Sequence, residues 1–261
     1  MSSARINQRA VALFTAVAAT RAGYLALRKL KPGGAGQWER KNYAGRTVDL
    51  CAGPAAAVGA VAGGVAARNL PARVRGAASL AVVGAGLCGA YDDVVGAGDA
   101  RRGFRAHLGA LRDGEVTSGA VKLIGIGGVG LVAGALLKER AVDKVLAGVV
   151  IAGTAHFVNL VDVRPGAAAS TVLALGAPGL LKPQGALAAA PMGAAAAVLA
   201  DDLGERTMIG DTGAHALGAA LGAAIVAGNG RFGLVAHAAG LVAAAACGDA
   251  VSRAVKALPR V

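Results

Sequence analysis

The sequence predicts an all-α fold, a polytopic membrane bundle of about nine short Ala- and Gly-rich transmembrane helices forming one integral-membrane domain, 1–261. Three observations carry that expectation. The chain is 55% hydrophobic and 16% charged, below the roughly 25% charged residues of soluble domains. Small residues dominate the apolar content, and aromatics make up only 3%, so helix backbones can approach closely in lipid. Apolar runs recur along the whole chain, separated by short polar segments.

In order, the runs are 10–27, 50–67, 76–91, 119–137, 145–161, 166–181, 186–200, 213–227 and 232–247. Several fall short of the roughly 20 residues a span requires, so they must take in flanking residues, tilt, or cross a thin membrane. Arg21 lies inside the first run, where its long stem can carry the charge to an interface or to the bundle interior. Gly59-x-x-x-Gly63 and Gly218-x-x-x-Gly222 read as packing faces. The N-terminus lacks a signal-peptide cleavage pattern, so the first run is expected to stay as an anchor.

Charge sets the orientation. With nine spans, one side receives the segments 28–49, 92–118, 162–165 and 201–212 and the C-terminal tail. Six Lys and Arg lie in 28–49 alone, which makes this side cytoplasmic by the positive-inside rule. The net charge of +12 comes from these short connections, which suits anionic lipid or substrate and argues against nucleic acid. Cys51, Cys88 and Cys247 lie in or beside apolar runs and read as small packing residues, not a disulfide framework. Within 92–118, Phe104, Leu108 and Leu111 recur at helical spacing, predicting a short interfacial helix with a basic face.

Acid marks three boundaries on that side. The third run ends at Tyr91-Asp92-Asp93, the fifth at Asn159-Leu160-Val161-Asp162, and the eighth is preceded by Met208-Ile209-Gly210-Asp211-Thr212-Gly213. Adjacent carboxylates at a membrane boundary repel one another and are poorly solvated, so packing alone gives little reason for them. Gly210 and Gly213 allow backbone to approach a ligand beside the Asp211 carboxylate, and the helix that follows offers N-terminal amides to an anion. Asn159 and Asp162 are three apart and share one helix face. His215 is one turn beyond Asp211, and His237 falls mid-run, where a hydrogen-bonded core position is expected.

These three motifs, in this order and on one face, resemble the polyprenyl-phosphate N-acetylhexosamine-1-phosphate transferases, the glycosyltransferase family that includes phospho-N-acetylmuramoyl-pentapeptide transferase. The similarity covers roughly residues 40–220, with Asn42-Tyr43-Ala44-Gly45-Arg46 looking like that family's early cytoplasmic loop. The resemblance implies that Asp211 is a ligand of Mg2+, that Asp92 and Asp93 are catalytic and position metal and lipid phosphate, and that Asn159 and Asp162 bind the substrate nucleotide. It further implies a cell-membrane enzyme of envelope polymer biosynthesis, its site on the cytoplasmic face, transferring a sugar-1-phosphate from a UDP-sugar to polyprenyl phosphate with release of UMP. A hard cation held by one or two carboxylates plus phosphate oxygens is the usual protein setting of Mg2+, and phosphoryl transfer rests on positioning and charge neutralisation.

The chain departs from the family pattern at four places. Its Asp162-Val163-Arg164-Pro165-Gly166 lacks the second aspartate of the usual D-G-x-D-G, His156 stands where asparagine is common, Ala214 replaces a serine, and no histidine-rich C-terminal loop is present. These departures imply a nucleotide sugar other than muramoyl-pentapeptide. Two other readings stay open on sequence: an inactive relative that binds lipid-linked sugar, and a small transporter or flippase. A homodimer is also left open.

Overall fold

The computed structural model describes residues 3–42, 44–96 and 109–258. It is all-α, 80% helical, with one small hairpin. Each of the nine apolar runs falls on a helix. The first is α1 (Ser3–Leu30), followed by the single turn α2 (Ala35–Trp38). Strands β1 (Glu39–Lys41) and β2 (Thr47–Asp49) then pair antiparallel, with Arg40 opposite Val48. Next come α3 (Ala52–Ala66), α4 (Ala72–Val95), α5 (Ser118–Leu137) and α6 (Ala141–Val161). The sixth run forms α7 (Ala167–Gly176) and a tighter 3-10 extension, Ala177–Leu181. The chain closes with α8 (Gly185–Leu203), α9 (Gly210–Gly228), α10 (Arg231–Ala246) and α11 (Gly248–Ala257).

Five helices are long and apolar enough to cross a membrane: Asn7–Leu30, Ala72–Val95, Ser118–Leu137, Ala141–Val161 and Gly185–Leu203. The pair α10 and α11, bent by 82° at its break, makes six if it counts as one span. The other three runs lie on α3 and Ala167–Leu181, which are shorter, and on α9, whose first turns carry Asp211 and His215. Length and composition therefore support five to six crossings among the described residues rather than nine.

At the centre stands α9, with fourteen of its nineteen residues buried, packed on α3, α4, α6 and α8. Small residues make this possible, as the two glycine spacings foretell. A Cβ at Gly218 would lie 2.6 Å from Ala155 Cα, and one at Gly222 would lie 2.8 Å from Ile151 Cα. Likewise Gly59 and Gly63 of α3 press on α1, at the Ala16 and Ala12 carbonyls respectively. With few large side chains to interlock, close backbone contact supplies the dispersion attraction that holds helices together in lipid.

One end of the bundle collects the acidic motifs. Here α4, α6 and α8 finish, α5 and α9 begin, and the hairpin lies across them. The hairpin is tied down by buried Thr207, whose hydroxyl donates to the Asp49 carboxylate at 2.7 Å, and by Met208 N, which donates to the Asp49 carbonyl at 2.8 Å. Arg28 pairs with the same aspartate at 3.1 Å. The segment read from sequence only as a cytoplasmic loop thus has structure: Asn42 Oδ1 accepts from Ala44 N and Arg46 N, closing the hairpin turn. Arg21 also finds a definite place, pairing with Asp201 of α8 at 2.5 Å.

His237 is hydrogen-bonded to the Gly233 carbonyl, as expected, but it is exposed on the outside of α10 rather than in the core. The interfacial helix expected around Phe104, Leu108 and Leu111 falls largely outside the described residues; only its last turn, 109–112, is described, and it is helical.

Candidate functional site

The site is built from the ends of α4, α5 and α9. Gly89 sets the approach of α4 to α9, because a Cβ there would lie 2.6 Å from the Asp211 carbonyl carbon and 2.8 Å from Thr212 Cα. On the far side, Gly213 presses on Gly53 of α3, where a Cβ would lie 2.8 Å from Gly53 Cα. The two contacts fix the first turn of α9 between α3 and α4.

That turn has no cap from its own chain neighbours: the residue before α9, Ile209, has no side-chain oxygen. Asp93 supplies the cap from α4. Its carboxylate accepts from Asp211 N at 3.0 Å, Thr212 N at 2.9 Å and Thr212 Oγ1 at 2.6 Å. These satisfy amides that a helix start leaves without partners and place a negative charge at the positive end of the dipole. Gly210, at φ 62, lies in the left-handed region and turns the chain into the helix beneath Asp93.

Asp92, the next residue, faces differently. Its Oδ2 accepts from Lys122 Nζ at 2.6 Å, and the same ammonium donates to Asp211 Oδ2. Lys122 is positioned by the start of α5, where Thr117 caps the helix by accepting from Ala120 N at 3.0 Å. The three side chains are 14%, 19% and 27% exposed for Lys122, Asp92 and Asp211, so the cluster is partly desolvated and its attractions are little screened.

Asp162 caps the end of α6, its backbone N–H donating to the Asn159 carbonyl at 3.2 Å. Burial, then the nearby carboxylates of Asp202, Asp211 and Asp93, push the Asp162 carboxyl well above the usual carboxylate range. Asp202 is itself buried and accepts from Gly166 N at 3.1 Å, holding the loop that follows Asp162. The Asn159 side chain makes no hydrogen bond with a described residue, so the structure puts it beside Asp162 but does not join it to the other carboxylates.

Beneath the carboxylates lie two histidines. His215 is fully buried, its Nδ1 bonded to the Asp211 carbonyl at 2.7 Å, and its ring meets His156 of α6 edge to face at 5.4 Å. Both Nε2 atoms are buried without a hydrogen-bond partner among the described residues. His156 is one of the positions at which the chain departs from the resembled pattern, and it packs against His215, one turn beyond Asp211.

Three sequence-predicted residues, Asp92, Asp93 and Asp211, therefore meet directly, with Asp162 close enough to feel the charge of Asp93 and Asp211. Lys122 was missed as a site residue. Its signal was its place inside an apolar run, where an ionisable side chain calls for a partner.

Among the described residues no group of three or more His, Cys, Asp and Glu side chains forms a ready metal cage. The donors do suit Mg2+ in its usual manner, one or two carboxylates completed by phosphate oxygens and water. Asp92 and Asp211 are the two that would hold it, once Lys122 releases them. Asp93 is committed to the helix cap. Compared with known proteins, the chain matches no protein-family model and no curated sequence.

Proposed function

We propose that the chain is a membrane phosphoglycosyl transferase that moves a sugar-1-phosphate from a UDP-sugar to polyprenyl phosphate and releases UMP. The observation that carries this reading is the meeting of Asp92 and Asp211, far apart in sequence, on one ammonium, Lys122, at a common end of the bundle. Asp92 and Asp211 share Lys122, Asp162 lies in the field of Asp202, Asp211 and Asp93, and Arg40 reaches the same place by donating to the Asp93 carbonyl at 2.8 Å. Two carboxylates on one ammonium suit added positive charge, and Mg2+ arriving with a diphosphate would supply it. When bound, Mg2+ would neutralise phosphate charge and polarise the bond to be broken.

The residues have separable tasks. An oxygen of the lipid phosphate attacks the β-phosphorus of the UDP-sugar, the bond to the α-phosphate oxygen breaks, and UMP leaves with that oxygen. Asp92 and Asp211 would hold the cation. Lys122, displaced from the carboxylates, remains beside the phosphates as a second positive charge. Asp93 positions Asp211 through the α9 cap. Asn159 and Asp162, at the end of α6, bind the nucleotide in this reading. On the same reading the five to six helices long and apolar enough to cross a membrane do so, the shorter apolar helices pack among them, and the acidic end is cytoplasmic.

A reporter fused after Asp113 should then read cytoplasmic and one after Arg140 external, since these residues lie beyond opposite ends of α5. The same side for both would exclude the arrangement. The chemical test is UMP release by purified protein in detergent with polyprenyl phosphate, Mg2+ and a panel of UDP-sugars. Release with one sugar, lost on chelation, is the expected result.

A catalytically silent relative that binds lipid-linked sugar is the second reading, and one observation favours it. Lys122 already neutralises the Asp92 and Asp211 pair, as a fixed structural ion pair would. Binding of polyprenyl phosphate with no UMP from any sugar would select it. A transporter is less well supported, because the acids gather at helix ends rather than at mid-membrane.

A further inference from the structure

A second polar site lies at the opposite end of the bundle. A cavity of about 340 Å3 opens there, lined by Asn69, Lys138 and Gln184 together with apolar residues that include Val74 and Leu137. Its size is at the small end of the roughly 300–1,000 Å3 of ligand pockets. Three connections form it, those between α3 and α4, between α5 and α6, and before α8, and each carries a cation. Lys138 lines the cavity itself; Arg68 adjoins Asn69 and Lys182 adjoins Pro183 in sequence, and both are exposed.

The carboxylates near this end are paired with arginines. Glu139 pairs with Arg73 at 2.9 Å, and Asp143 with Arg231 at 2.7 Å. Lys138 donates to a neutral group, the Asn229 carbonyl, at 2.7 Å, with the arginine-paired Asp143 carboxylate nearby. Among the described residues neither Arg68 nor Lys182 has a carboxylate partner. The cavity is therefore positive, with amide groups for directed hydrogen bonds and an apolar wall on the helix side.

We infer that this cavity binds the phosphodiester headgroup of an anionic lipid, with Lys138 as the principal cation and Arg68 and Lys182 at its rim. Basic pockets between membrane helices at headgroup level are suited to such ligands. The apolar wall formed by Val74 and Leu137 receives the lipid's glycerol and upper chain, which a free phosphate would leave uncovered. This site is independent of the acidic end and of the chemistry proposed there.

The full-length protein in detergent, incubated with mixed micelles of phosphatidylglycerol and phosphatidylcholine, provides the test. Lipid retained through gel filtration is counted by mass spectrometry. Phosphatidylglycerol should be enriched, and Lys138→Gln should cut the enrichment roughly fivefold, about the worth of one lysine near an anionic surface. Lys138→Arg keeps the charge and should keep the enrichment, which separates loss of the site from misfolding. Arg112→Gln, a cation at the acidic end, should change nothing. Enrichment unchanged in Lys138→Gln, or reduced as much in Arg112→Gln, would overturn the assignment. So would displacement of the lipid by millimolar inorganic phosphate, which would give the cavity to a soluble anion instead.

Discussion

Asp211→Asn should abolish UMP release, by on the order of 100-fold or more, while leaving the protein folded. The loss exceeds the 10–100-fold cost of disturbing a metal's supporting residues, because Asp211 would be one of only two carboxylates available to Mg2+. Folding survives for reasons visible at the site. Asparagine has nearly the same shape, the Asp211 backbone N–H still donates to Asp93, and Lys122 keeps Asp92 as its partner. The helix start loses one favourable charge, worth about 0.3–1 kcal/mol. Asp113→Asn, on the exposed segment before α5, removes a carboxylate from the same end and should leave turnover near wild type. The measurements are UMP release at saturating Mg2+ and the thermal midpoint in detergent. Equal activity in the two variants would remove Asp211 from the chemistry. A collapse of the thermal midpoint in Asp211→Asn would instead assign it to the fold.

Much of this was legible in the sequence because the bilayer permits few solutions. Unsatisfied backbone cannot stand in lipid, so apolar runs become helices, and all nine runs did so. The acids at three run ends had to lie at the same end of the bundle if the helices alternate, and Asp92, Asp93 and Asp211 meet there. What sequence could not give was the division of labour between neighbours. Asp92 and Asp93 are adjacent on a helix, about 100° apart around its axis, so one faces Lys122 and the other the start of α9. Their different roles depend on where α9 packs, a tertiary fact. The hairpin 39–49 was hidden for a similar reason. Its strands have only three residues each, and its hold comes from Thr207, which is distant in sequence. The last run was read to end at Cys247, and nothing at Gly248 separates a polar tail from a helix bent by 82°. There α11 lies at the acidic end, with Ser252 Oγ donating to the Leu160 carbonyl at 3.0 Å.

Gly89→Ala should be strongly destabilising for so small a change. The new methyl would meet backbone, the Asp211 carbonyl and Thr212 Cα, rather than a side chain able to rotate away. Relief requires α4 and α9 to separate, and α9 is held on its other side by Gly53 against Gly213. Overpacking of this kind costs about 1–3 kcal/mol, and the shift falls where Asp93 caps α9 and where Asp92 and Asp211 share Lys122. Thermal stability in detergent and UMP release should therefore fall together. Gly127→Ala provides the comparison. Gly127 lies within α5 with nothing inside 4 Å of its would-be Cβ, so alanine there should be neutral or stabilising by about 0.5–1 kcal/mol, its normal advantage over glycine within a helix. If the two substitutions had equal effects, α4 and α9 would not be in close backbone contact, and the carboxylates they carry would not share a site.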